Sequence, residues 1–378
     1  MWVLYCYLLS ERGVVVKNSN EHRRVIDDKF IKALSSEGIL FPVTELVKEH
    51  RNELFMAFRR SYINIYYLGH SIYKIEQQKT GYAVTFNFNH ARYSEDHVDL
   101  LKDLLKLGME LPTRRSEPQI KRLVCDRIDA DGKTVSGSNT ITKKITCGNK
   151  PDKKFWDESY AMLKRIVDDF YNKDKRHDYF KDEDYVSIRK EKGLPDFEPE
   201  RDKNPLIEKQ HQQKITLANR FTDNGYFVYD MEYAQPNEKQ GDKKSGRFDM
   251  LALKIENHKA TQLLFIELKS TLSACGGASG IEKHKNDMVE YLARKDVIEA
   301  RKKDAEGILD AYNKLFQVGE VDFSEFYSKG PGFAIVLTDE ALEYKGEYMD
   351  QCNMLDGTRE NEPQKDESWI MKGLIPLL

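Results

Sequence analysis

Two apolar runs that each carry an acid in their interior constrain this chain more than any other feature: Gly246 to Leu253 (GRFDMLAL) and Leu263 to Lys269 (LLFIELK). Their length and composition predict adjacent buried strands, and Ile255 to Gln262 is short enough to join them as an antiparallel hairpin. The midpoint between Asp249 and Glu267 is His258, inside that turn, so an in-register hairpin sets the two carboxylates opposite each other. Alternation then places Glu267 and Lys269 on one face and Leu268 on the other. Both runs are apolar on both faces, which predicts a sheet covered by helices rather than an ion-pair patch on an ordinary sheet edge.

Acids and a lysine inside apolar strands need a reason, because burying unpaired charge costs several kcal/mol, roughly. A divalent cation supplies one. Mg²⁺ takes oxygen ligands, keeps several waters and commonly uses one or two carboxylates with a substrate phosphate, which suits Asp249 and Glu267. Lys269 could then orient or help deprotonate an attacking water and offset charge in a phosphorane-like transition state.

The surrounding pattern predicts helix, three strands, helix, strand. Asn204 and Pro205 read as a helix start, continuing to about Phe221, and Asn224-Gly225 ends it. Tyr226 to Tyr233 reads as the first strand, with the polar loop Gln235 to Ser245 before the second. After Lys269 come a Gly-rich loop, Cys275 to Gly280, a helical segment from Ile281 to about Ala305, and the buried strand Gly332 to Thr338. On the second helix, Ile281, Met288 and Leu292 form an apolar stripe that also carries His284 and Lys285.

With Asp249, Glu267 and Lys269 in this order, the segment from Pro205 to about Asp339 resembles the PD-(D/E)XK nuclease superfamily. Phe248 stands where the best-known form of the motif has proline. The resemblance implies an α/β fold, an αβββαβ restriction-endonuclease-like core with a mixed sheet, preceded by an α+β accessory domain. It implies a Mg²⁺-dependent endonuclease, with Mn²⁺ able to substitute, hydrolysing DNA more readily than RNA. Asp249, Glu267 and the Leu268 carbonyl would hold the metal, and Lys269 would position the water. Glu208 on the first helix would join the metal shell directly or through water; the other reading is an exposed acid favoured by the helix dipole. Lys285 or His284 would contact the scissile phosphate; the other reading is an interface histidine and a lysine that snorkels to water. By fold-level analogy, the N-terminal half would recognise a defence-system partner, an activating signal or a DNA feature in restriction or anti-phage defence. The competing class is a catalytically inactive nuclease fold kept as a DNA-binding or scaffold module.

The 378 residues, 40% hydrophobic, suffice for two cores. They divide into an accessory domain at 1–149, a polar helical connector at 150–204, the nuclease-like domain at 205–345 and a tail at 346–378, which could support a homodimer. A formal net charge of −3 offers no overall attraction to nucleic acid. Five cysteines without paired spacing argue against a disulfide framework or zinc knuckle and fit a cytoplasmic setting. Met1 to Leu9 lacks a basic leader and a small-residue cleavage site, and no run approaches the roughly 20 apolar residues of a membrane span, so no membrane association is expected. No Walker motif appears.

In the N-terminal half, amphipathic segments are expected around Val25 to Leu34 and Val43 to Phe58, with a short helix at Leu100 to Leu107. A hairpin is expected from Tyr62 to Ile75 and Tyr82 to Phe88. Its aromatics, flanked by Arg59, Arg60 and Arg92, could stack bases, but strand aromatics more often form core. Arg114, Arg115, Lys121 and Arg122 could contact a nucleic-acid backbone or solvate a loop. Asp126 to Asn149 reads as a long hairpin or surface loop, and Phe155 to Tyr171 as one helix.

Overall fold

The computed structural model describes residues 24–87, 95–110, 140–171, 207–234, 247–269, 284, 291, 295–328 and 330–337. Within them the chain is mixed α/β, with two sheets and six helices. The basic cluster at 114–122, Arg92 and everything after Leu337 lie outside the described residues.

The first sheet is a five-stranded antiparallel meander in the order β1 (Leu54–Arg59), β2 (Tyr62–Tyr67), β3 (His70–Gln78), β4 (Gly81–Asn87) and β5 (Thr140–Ile145). Ahead of it stand α1 (Asp28–Leu34), whose N-terminus is capped by the Asp27 carboxylate accepting from Phe30 N–H at 2.7 Å, and α2 (Phe41–Glu49), opened by Pro42. The expected single segment from Val43 to Phe58 is therefore a helix followed by a strand. The expected hairpin is also corrected: Leu68 and Gly69, both at positive φ, fold Tyr62 to Gln78 into two strands. Leu68 and Gly69 carried no Asn-Gly or Asp-Gly signature, so the turn was hidden in an apolar run. Thr140–Ile145, expected within a long hairpin or surface loop, pairs with β4 as an edge strand.

Tyr66, Tyr67, Tyr73, Tyr82 and Phe86 are all buried, so these aromatics are core and not a base-stacking surface. Helix α3 (Glu95–Lys106) and the 19-residue α4 (Lys153–Tyr171) clad this unit. Trp156 of α4 is fully buried and meets Tyr73 edge-on at 5.5 Å. The described part of the stretch between the sheets is thus packed structure.

The second sheet runs β6 (Tyr226–Ala234), β7 (Arg247–Glu256), β8 (Lys259–Lys269), β9 (Gly332–Leu337). Its first three strands are antiparallel, and β9 lies parallel to β8. Parallel strands need a crossover, and α6 (Lys295–Phe316) lies on it. Helix α5 (Ile207–Ala218) precedes the sheet and packs on β6, β7 and β8. Helix α6 runs eleven residues past the expected end at Ala305. Gly307, which resembles a helix stop, sits mid-helix, where a Cβ would come within 2.7 Å of the Val25 side chain.

The β7–β8 register keeps His258 as its midpoint along most of its length: Met250 faces Ile266 and Leu253 faces Leu263. The connection is tighter than expected, because the strands continue to Glu256 and from Lys259. Asn257 and His258 alone turn the chain, both in the left-handed region as a two-residue hairpin requires.

The two sheets meet along β1, β6 and α5 in one continuous apolar core. Gln213 of α5 clamps the contact. Its Nε2 donates to the carbonyls of Glu53 (2.7 Å) and Tyr66 (3.0 Å), and its Oε1 accepts from Gly69 N–H. Glycine is required there, since a Cβ would lie 2.6 Å from the Lys209 backbone. Gln213→Ala leaves three buried backbone groups without this partner and should cost about 2 kcal/mol, read as a lower urea midpoint at unchanged m-value. No helix among the described residues is long and apolar enough to cross a membrane.

Candidate active site

Beyond the Met250–Ile266 pair the β7–β8 ladder ends, and a carboxylate takes over the hydrogen bonding. Leu268 N–H donates to Asp249 Oδ2 at 2.7 Å, so the acid stands in for a strand carbonyl. Leu268 thus meets Asp249 through its N–H; the expected metal contact was its carbonyl. The other oxygen, Oδ1, accepts from Gln212 Nε2 of α5 at 2.8 Å. Two elements therefore fix the orientation of one carboxylate.

Glu267 and Lys269, two residues apart on β8, form an ion pair at 2.9 Å, with the residues only 5% and 3% exposed. His284 Nε2 lies 3.1 Å from the same Glu267 oxygen, so His284 joins the cluster through this acid. Glu208 lies one turn before Gln212 on α5, half-buried, and interacts electrostatically with Asp249, Glu267 and Lys269. It occupies the helix's first turn, as the dipole reading requires, and also faces the acids. Lys285 lies outside the described residues, as do residues 270–283, which directly follow Lys269. Asp249 itself is partly exposed.

Gln212 was not read from the sequence. The signal was available, because a residue four positions after Glu208 shares its helix face. What concealed it is that glutamine is neither titratable nor apolar, and its role appears only once β7 is placed beneath α5. Gln212 Oε1 is buried with no hydrogen-bond partner among the described residues.

Burial raises the Asp249 carboxyl well above the ordinary range; repulsion from Glu267 and Glu208 adds to this, and the Leu268 N–H and Lys269 oppose it. Glu267 is raised chiefly by burial, with Lys269 pulling the other way and Glu208 adding to the rise. Burial likewise raises Glu208, against the pull of Lys269 and Lys209. Three carboxylates thus share a poorly solvated place with Lys269, with Lys209 and Arg247 acting on them as further cations, and a divalent cation would offset the repulsion among the acids.

A carboxyl raised on folding binds its proton more tightly folded than unfolded. Its stabilisation is complete below the unfolded value, about 4, and is lost as pH rises through the raised folded value. The metal-free protein should therefore lose stability as pH climbs out of the acid range, and Mg²⁺ should restore more stability at pH 8 than at pH 5. Asp249→Asn removes the repulsion and lets the new amide donate to Gln212 Oε1. This variant should be about 1 kcal/mol more stable than wild type in EDTA and show a smaller gain with Mg²⁺. Thermal denaturation across pH with Mg²⁺ or EDTA checks both expectations.

A cavity at the junction of the two units and another beside α1 are both separate from this acidic cluster. No protein-family model matches the chain, and neither does any curated protein or solved structure.

Proposed function

We propose that this chain is a metal-dependent nuclease whose C-terminal half is a restriction-endonuclease-like core. The supporting observation is the convergence of Asp249, Glu267 and Lys269 at the end of a β7–β8 hairpin, beneath a helix that adds Glu208 and Gln212. The element order α5, β6, β7, β8, α6, β9, with β9 parallel to β8, agrees with that core.

Asp249 and Glu267 would hold Mg²⁺, with the Leu268 carbonyl as a further oxygen. Among the described residues no group of three His, Cys, Asp or Glu side chains is placed to hold a metal ion. A cation here would complete its shell with water and substrate oxygens, as Mg²⁺ commonly does. When bound, it would polarise the phosphoryl group and neutralise developing charge. The chain's own residues do the rest. Gln212 and the Leu268 N–H fix the Asp249 carboxylate before substrate arrives, which removes a reorganisation cost from the reaction. Glu267 holds the Lys269 ammonium in place, and that ammonium orients the attacking water and offsets negative charge on the phosphoryl oxygens. Water adds to phosphorus in line with the leaving 3′ oxygen; the P–O3′ bond breaks, a proton is lost from the water, and the 3′ oxygen acquires one from solvent. The product carries a 5′-phosphate.

DNA is the proposed substrate, with RNA the alternative, and the setting is restriction or anti-phage defence in the cytoplasm. Near-complete burial of Glu267 and Lys269 favours a second reading, in which their pair is structural and the core serves as a DNA-binding or scaffold module. Plasmid DNA and single-stranded RNA incubated with Mg²⁺, Mn²⁺ or EDTA separate these readings. Cleavage that needs the metal and is lost in both Asp249→Ala and Lys269→Ala supports the nuclease. Equal cleavage by all three proteins, or none by wild type under any condition, overturns it.

A further inference from the structure

The cavity at the junction of the two units has a volume of about 530 Å³ and lies away from the acidic cluster. Sites for small organic ligands span roughly 300–1,000 Å³ and are often found between domains. Its walls mix apolar and polar side chains, and three of its aromatics, Phe41, Phe221 and Phe316, are only half-buried.

Its cations are unevenly neutralised. Lys48 pairs with Glu45 at 3.0 Å and Lys314 with Asp310 at 2.7 Å. Arg51 and Arg220 have no carboxylate partner among the described residues. Arg220 donates through Nη1 to the Arg51 carbonyl and through Nη2 to Asn52 Oδ1 at 3.2 Å, and lies over the Phe221 ring at 5.0 Å. Its Nε is buried without a hydrogen-bond partner. Burial, and then the Arg51 charge, lower the pKa of Arg220, so this arrangement is costly while the two guanidiniums share no anion. Two guanidiniums without a carboxylate partner among the described residues, on one cavity wall, point to an anion.

The chemistry narrows its kind. Two planar guanidinium forks suit an anion with several oxygens on one centre, as a phosphate has, whereas a carboxylate occupies a single fork. Half-buried aromatic faces suit a flat ring. We propose that the cavity between the two units binds a nucleoside phosphate, its phosphate at Arg51 and Arg220 and its base against the aromatic wall. The site is built from α2, β1, the ends of α5 and α6, and β6, so an occupant touches both units at once. This inference does not rest on the nuclease reading.

The test is calorimetric titration and thermal shift of the full chain in EDTA. Probes are the four ribonucleoside monophosphates, their nucleosides, inorganic phosphate and hexanoate. At least one monophosphate should bind ten times or more tighter than its own nucleoside and than phosphate, and should raise the unfolding temperature. Arg51→Gln, whose guanidinium makes no hydrogen bond among the described residues, should weaken that binding at least tenfold without lowering the unfolding temperature of the unliganded protein. Arg220→Gln should do the same with some loss of stability. Asp249→Asn should bind as wild type does; loss of binding there would place the nucleotide in the acidic cluster and overturn the proposal. So would tighter binding of hexanoate than of every nucleotide, equal binding of nucleotide and nucleoside, or no binding by any probe.

Discussion

Lys269→Met should lower phosphodiester cleavage about 1,000-fold while leaving much of the stabilisation by Mg²⁺ in place. Asp249→Ala should abolish cleavage and the Mg²⁺ response together. The difference follows from their places in the cluster. On the proposed reading Asp249 is a fixed oxygen donor, its two oxygens already oriented by Leu268 and Gln212, so its removal would dismantle the proposed cation site. Lys269 would bring no oxygen; its ammonium would contribute charge and water orientation, effects worth roughly 100- to 10,000-fold in enzymes. Methionine keeps the apolar stem in its buried slot, so the fold should persist, as circular dichroism can verify. Single-turnover cleavage with saturating metal, beside thermal shifts with and without Mg²⁺, separates the two roles. Should Lys269→Met cleave as wild type does, the lysine has no part in the reaction.

Arg59→Met should destabilise the protein by about 3–5 kcal/mol, the usual consequence of stranding one member of a buried ion pair. Arg59 of β1 reaches across the junction to Asp230 of β6, with both side chains buried. Its Nη1 also donates to Phe58 O at 2.9 Å and its Nη2 to Met231 O at 2.8 Å. Burial, the largest influence, lowers the Arg59 pKa, but attraction by Asp230 together with that of Tyr66, Tyr62 and Tyr312 outweighs it and holds the guanidinium charged. Arg24 adds a second cation 3.4 Å from Asp230. The double change Arg59→Met with Asp230→Leu should therefore recover at least half of the loss, and a double-mutant cycle in urea measures the coupling. If the single variant loses under 1 kcal/mol, the pair is not holding the two sheets together.

Legibility from sequence followed the range of the interaction. The β7–β8 hairpin was readable because both strands are apolar and their acids sit symmetrically about His258. Even so, the two-residue turn at Asn257 and His258 was shorter than expected, since His258 in the left-handed region carries no glycine signal. Arg59 flanked a candidate base-stacking cluster in the sequence and is a buried tie to a residue 171 positions away. Nothing local to β1 announces such a partner. The expected helix end near Ala305 falls two residues before Gly307, whose reason for being glycine, Val25, lies nearly three hundred residues upstream. At the candidate site, the three strand residues were legible and Gln212 was not, because its hydrogen bond to Asp249 depends on how α5 crosses the sheet.

Tyr312 bears on how the protein can be dissected. Its ring lies 4.7 Å from Phe58 and 5.5 Å from Phe227, and its hydroxyl donates to the Met56 carbonyl, so a residue of the C-terminal half is sheathed by the N-terminal sheet. An expression fragment beginning near residue 205 would leave this phenol, Phe227 and the unmatched Asp230 bare to water. Such an excised fragment should be recovered as aggregate, and co-production with residues 1–204 as a separate polypeptide should rescue it.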